Sequence, residues 1–158
     1  MLPYSPDRRP PDPLRLVLDT NAWIDWLAFD DPATRAIAAA QADGRAQIFI
    51  DAPCEAELAR ALGYDLGKRS LDAAAQAACL ARLRTLVRPA DGVRHPPMPL
   101  PQCRDRDDQK FLELAIACGA DVLVSRDRAL LELGRRRVRR LPFDILTPAA
   151  LSHRLVSG

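Results

Sequence analysis

A chain of 158 residues is the size of one domain, and folding removes roughly 70% of the unfolded surface from water, enough for a single core. Apolar residues make up 48% and aromatics only 5%, so that core is mainly Leu, Ala and Val, which suits helices packed on a small sheet and disfavours a β-sandwich. A net charge of +2 is too small to name a partner, and no apolar run approaches the ~18–20 residues of a bilayer span.

Pro3, Pro6, Pro10, Pro11 and Pro13 crowd the N-terminus, where fixed φ and missing N–H groups prevent helix or ladder, so residues 1–13 are expected to be a flexible tail. One folded domain over 14–152 then alternates, beginning with a strand at 14–19, helical pieces at 21–29 and 32–43, and a strand at 47–50. Helices at 53–62 and 70–87 precede a third strand near 90–94. Pro96, Pro97, Pro99 and Pro101 make an irregular connection to a helix at 107–118, followed by a strand at 121–125, a helix at 127–134 and a last strand near 143–146. Residues 153–158 are expected to be a C-terminal tail.

Punctuation supports these limits. Asp31 then Pro32 reads as N-cap then first helical position, Ser70 can cap, and Gly44, Gly63 and Gly119 can take the left-handed conformation that ends helices. Right-handed crossovers between such elements produce a parallel sheet covered on both faces. The fold class is therefore α/β: a three-layer α/β/α sandwich with a central parallel sheet of four to five strands.

Four acids carry the chemistry: Asp19, Glu57, Asp108 and Asp127. An Asp at the carboxyl end of a strand points into the crevice where open α/β sheets place their ligands. Leu14 to Asp19 and Val122 to Asp127 would thus aim two carboxylates at one rim, an arrangement that suits a divalent metal. Each acid also has a plain structural reading. Asp19, Asp108 and Asp127 could simply cap helices, and Glu57 could pair with Arg60 three residues on. Their conjunction at one end of an α/β layer is what favours a site.

Cys54, Cys79, Cys103 and Cys118 are widely spaced, without a C-x-x-C pair, and His95 and His153 are too few to complete a zinc set. With no signal-peptide segment, a cytoplasmic protein with reduced thiols is expected. Trp23 and Trp26 read as core or dimer contacts before base-stacking platforms.

The run Leu16-Val17-Leu18-Asp19-Thr20-Asn21, then Glu55-Ala56-Glu57-Leu58, Arg104 to Ala115, Ala120 to Asp127 and Ile145 to Leu151, in that order and spacing, resembles the PIN-domain nucleases. It is similar in particular to the PIN-domain toxins of bacterial toxin–antitoxin pairs. The resemblance covers about 14–151 and implies a metal-dependent endoribonuclease with Asp19, Glu57, Asp108 and Asp127 as catalytic, metal-holding acids. Asn21 and Ser125 match supporting polar positions. Glu55 lies about 200° around a helix from Glu57, so only one of them can face the site, and the resemblance favours Glu57, which immediately precedes the Leu58, Ala61, Leu62 apolar stripe as the family's second acid does. Among Asp105, Asp107 and Asp108 the family-like spacing to Ala115 and Asp127 favours Asp108, with Asp105 as helper or cap.

Such converging carboxylates call for a cation. Two like charges ~4 Å apart repel by ~4 kcal/mol at an effective dielectric near 20, and the oxygen-only set matches Mg²⁺ or Mn²⁺. Arg104, Arg106 and Arg126 lie nearest the acids and are candidates either for RNA contact or for pairing with a neighbouring Asp; the run Arg135, Arg136, Arg137, Arg139 and Arg140 reads as a solvated helix end or a phosphate-binding patch. The partners implied are an RNA substrate and a cognate antitoxin, with a homodimer allowed and no membrane. A housekeeping RNA-processing nuclease and a non-catalytic RNA-binding or assembly module are the alternatives. A haloacid-dehalogenase-like phosphatase lacks its second Asp, which is Asn21 here, and a receiver domain lacks its Lys, since none follows Lys110.

Overall fold

The computed structural model describes residues 12–64, 70–89, 106–136 and 140–157. The strands are short apolar runs: β1 (Leu14–Leu18), β2 (Ala46–Ile50), β3 (Val87–Pro89), β4 (Val122–Val124) and β5 (Asp144–Leu146). Between them lie α1 (Thr20–Leu27), a single 3-10 turn (Pro32–Thr34), α2 (Arg35–Ala42), α3 (Ala52–Leu62), α4 (Ala73–Leu86), α5 (Arg106–Ala117) and α6 (Arg128–Arg135), with α7 (Pro148–Ser157) closing the chain.

All five strands are parallel, in the order β3-β2-β1-β4-β5. From β1 the chain steps outward through β2 to β3, crosses back, and steps outward the other way through β4 to β5. The direction therefore reverses between β1 and β4, and the loops leaving those two strands diverge and open a crevice at their carboxyl ends. Leu16, Val17 and Leu18 pair with Val122, Leu123 and Val124, all fully or almost fully buried, as expected of central strands covered on both faces. The α/β/α layering of the sequence reading is the one observed.

Aspartates start the helices. Asp19, Asp51, Asp72 and Asp127 each accept a backbone N–H from the first turn of α1, α3, α4 and α6, and Asp31 does so for the 3-10 turn before Pro32. Asp72, two residues after the expected Ser70, caps α4. Gly44 (φ 82°) and Gly119 (φ 63°) are left-handed, whereas Gly63 stays right-handed at φ −86° and bonds its N–H to the Arg60 carbonyl. Gly134 serves close packing: a Cβ there would stand 2.9 Å from the Ile145 Cβ.

Two boundaries differ from expectation. Val87 turns extended directly at the end of α4 (φ −103°, ψ 158°), so β3 is Val87–Pro89, paired with Ile48–Ile50; the expected strand at 90–94 lies outside the described residues. A proline is tolerated there because β3 is an edge strand. Residues 153–157, expected as tail, continue α7. Thr147 Oγ1 accepts the Ala150 N–H at its start, Leu151 is buried, and Ser152 Oγ donates to the Ala33 carbonyl at 2.6 Å, docking the helix beside α2. The N-terminal tail through residue 11 and the proline connection at 96–101 lie outside the described residues.

Candidate active site

Strand pairing decides what Asp19 meets. Because Leu18 registers with Val124, the next residues, Asp19 and Ser125, stand side by side at the crevice, with the Asp19 N–H bonded to the Val124 carbonyl at 3.1 Å. Ser125 Oγ donates to Asp19 Oδ2 at 2.5 Å, and Asp19 Oδ1 accepts the Ala22 N–H at 2.9 Å. The same serine oxygen accepts the Asp127 N–H at 3.0 Å, while Asp127 Oδ1 accepts from Leu130. One hydroxyl thus joins two of the predicted acids. Capping and site membership are not alternatives for Asp19 and Asp127, since each cap uses one carboxylate oxygen, and the second oxygen of Asp19, although it takes the Ser125 hydroxyl, keeps a further lone pair.

Asp19 is only 3% exposed. Burial pushes its carboxyl from 3.8 up to about 6, partly offset by the Ser125 and Ala22 hydrogen bonds and reinforced by the negative charges of Asp127 and Asp25. Asp25 is a participant that the sequence reading missed. It lies within α1 and lacks the strand-end signal that marked Asp19.

Glu57 is buried on α3. Arg60 Nη2 meets it at 2.5 Å and Lys110 Nζ, on α5, at 3.8 Å. Glu55, on the other side of the helix, pairs with Arg84 of α4 at 3.0 Å. Asp108 opens α5 in partial burial, on the helix stripe of Phe111, Leu112 and Ala115. α5 packs against α3, β1 and β4, which brings its first turns to the crevice side of the sheet. Asn21 is exposed on the first turn of α1. Arg104 and Asp105 lie outside the described residues, and Arg106 is the first residue of α5. Arg126 is held by two carboxylates: Nη1 to Asp25 at 3.0 Å and Nη2 to Asp31 at 2.8 Å.

A family model described as PIN domain matches residues 15–129, from β1 to the start of α6. The chain belongs to the PIN-domain family. No curated protein and no solved structure matches it. PIN domains are nucleases that act on nucleic acid and generally use divalent metal ions, which places this chain among hydrolases of phosphodiester bonds.

The donor chemistry fits a hard divalent ion. Asp19, Ser125 and Asp127, gathered at the ends of β1 and β4, offer oxygen donors, and Asp19 is a buried carboxylate whose charge is opposed by desolvation and by two neighbouring negative charges, a penalty that a cation relieves. Among the described residues no three His, Cys, Asp or Glu side chains are gathered tightly enough to hold an ion as they stand. Glu57 is already neutralised by Arg60 and Lys110. Cys54 and Cys118 are buried, and burial raises both thiols, Cys118 to about 11, which leaves them protonated and inert at neutral pH. No helix among the described residues is long and apolar enough to cross a membrane.

Proposed function

We propose that this PIN-domain protein is a metal-dependent endoribonuclease, acting as the toxin of a type II toxin–antitoxin pair in the cytoplasm. The observation that carries the nuclease reading is the Asp19–Ser125–Asp127 arrangement at the point where the strand order reverses. Asp19, Glu57, Asp108 and Asp127 would hold Mg²⁺ or Mn²⁺. When bound, the ion supplies positive charge and Lewis acidity at the scissile phosphate.

The chain's own residues do the rest. Ser125 fixes the Asp19 carboxylate by its hydroxyl and fixes the Asp127 backbone by its lone pair, so both acids face the crevice in one geometry. Burial of Asp19 keeps bulk water from its inner oxygen and strengthens its attraction for a cation. Lys110, partly exposed beside Glu57, adds positive charge where an RNA phosphate would approach, with Arg106 as a further phosphate contact. RNA as the substrate, a cognate antitoxin as the partner and a homodimer rest on the resemblance to PIN-domain toxins.

The test is cleavage of a mixed RNA by the wild-type chain in Mn²⁺ and in EDTA, beside Asp127→Asn with circular dichroism as folding control. Metal-dependent cleavage lost by at least about a hundredfold in a folded Asp127→Asn is expected, because removing one charged group from a phosphoryl-transfer site costs several kcal/mol. Cleavage that survives EDTA, or a fully active Asp127→Asn, refutes the assignment. A wild-type chain that binds RNA without cutting it is the non-catalytic module instead.

A further inference from the structure

The amino-terminal edge of the sheet, opposite the crevice, carries a second concentration of charge. Where α6 ends and β5 begins, a cavity of about 370 Å³ opens between Arg136, Arg140, Arg154, Asp121 and Asp144, with the buried Phe143 in its wall. Gly134 also lines it, and the missing side chain there lets α6 close on Ile145 of β5.

The two aspartates do not answer the three arginines. Asp121 Oδ2 accepts the Arg15 backbone N–H at 2.8 Å, and Asp144 Oδ2 holds Arg154 Nη1 at 3.1 Å. Arg136 and Arg140 are exposed and make no ion pair among the described residues. Arg135 has an ordinary explanation, since a cation in the last turn of α6 complements the partial negative charge of the helix carbonyls. Arg136 has already left the helix, at φ −66° and ψ 131°, and Arg140 lies beyond it. Neither a carboxylate nor the end of α6 accounts for these two guanidinium groups in one cavity.

Helix α6 ties the cavity to the crevice. Asp127 caps its first turn beside Ser125, and its far end lines the cavity, so eight residues, or ~12 Å, separate the two places. Arg128 and Arg135 are exposed two turns apart on one stripe of that helix, with Glu132 between them. A single strand of RNA lying along α6 would have one phosphate at the acids and another, a few nucleotides away, at unpaired arginines. Planar guanidinium forks match phosphate oxygens, and grooves that hold single strands track the backbone with such charges.

We propose that the Arg136–Arg140 cavity is a second RNA contact, taking a backbone phosphate of the strand whose neighbouring segment lies at Asp127. Its place relative to the point of cleavage rests on the nuclease reading above; the RNA contact itself is read by binding and does not.

The experiment uses the full chain, Arg136→Gln, Arg140→Gln, their double variant, and Arg82→Gln, which removes an exposed arginine from α4 beside the other edge strand. Circular dichroism is the folding control. A fluorescein-labelled single-stranded RNA of about 20 nucleotides, long enough to span both ends of α6, is titrated in EDTA over a range of salt concentrations. Losing two phosphate contacts is expected to make the slope of log K against log salt shallower by about 1.4 and to weaken binding about ten- to thirtyfold at about 0.1 M salt. Each single variant gives about half the change in slope, and either carries the comparison should the pair not fold. Arg82→Gln stays within about twofold of wild type. In Mn²⁺ the double variant raises KM for the same RNA while kcat stays within about twofold, because the acids at the crevice are untouched. Unchanged RNA affinity and slope in the double variant overturn the proposal, as does an equal loss in Arg82→Gln. Polyglutamate that binds wild type and is lost from the double variant, while RNA binding is kept, overturns it in favour of an acidic protein partner. A wild-type chain that binds RNA through these arginines yet does not cleave it in Mn²⁺ overturns the nuclease reading and leaves the contact standing.

Discussion

Replacing Asp19 by Asn is expected to stabilise the metal-free protein at neutral pH and to leave its stability near that of wild type in acid. The carboxyl is raised from 3.8 to about 6, first by burial, against the pull of Ser125 and Ala22, with Asp127 and Asp25 adding to the rise. A folded value above the unfolded one means that the folded chain holds the proton more tightly. The stability linked to this group is therefore complete below pH ~3.8 and is lost as pH rises through about 6. A displacement of about two units corresponds to ~3 kcal/mol. Asn carries no charge to desolvate, its oxygen can keep the Ala22 N–H, its NH₂ can donate to the Ser125 oxygen, and it caps a helix as well as Asp does. Metal-free Asp19→Asn should then exceed wild type by about 2–3 kcal/mol at pH 7.5 and by well under ~1 kcal/mol at pH 4. Urea unfolding in EDTA at the two pH values measures this directly, and comparing the variants at each pH cancels the other carboxylates. A difference that does not change with pH would show that Asp19 titrates normally. A variant less stable at pH 7.5 would show that the hydrogen bonds outweigh the buried charge.

Three further outcomes are expected. Ser125→Ala should cost about 1–3 kcal/mol by leaving the part-buried Asp127 N–H without its acceptor; it should also move the Asp19-dependent loss of stability to higher pH, because the hydroxyl that lowers Asp19 is gone, and an unmoved midpoint in urea titrations would refute that coupling. Gly134→Ala should destabilise by about 1–3 kcal/mol, as its methyl meets Ile145 at 2.9 Å, with wild-type melting behaviour as the contrary result. Mn²⁺ should raise the melting temperature, adding ~2.7 kcal/mol at a hundredfold excess over Kd, an effect that Asp127→Asn should reduce and that identical melts in EDTA and Mn²⁺ would disprove.

The sequence by itself determined the alternation of short apolar strands with helices, and therefore a parallel α/β sheet, because strand runs, caps and helix stops are written in neighbouring residues. It also marked Asp19 and Asp127, since an acid directly after a buried strand has few places to point. Glu57 with Arg60 was legible for the same reason, as a contact between residues one helical turn apart. The rest was decided by which elements become neighbours. Asp19 meets Ser125 across 106 positions because β1 pairs with β4. Lys110 reaches Glu57 because α5 packs on α3, and Arg126 finds Asp25 and Asp31 only where the end of β4 meets the α1–α2 turn. An arginine flanked by a serine and an aspartate reads locally either as a substrate contact or as the partner of a neighbouring Asp. Its engagement elsewhere is a property of strand order, because charges pair with whatever the packing of the apolar core brings within a few ångströms.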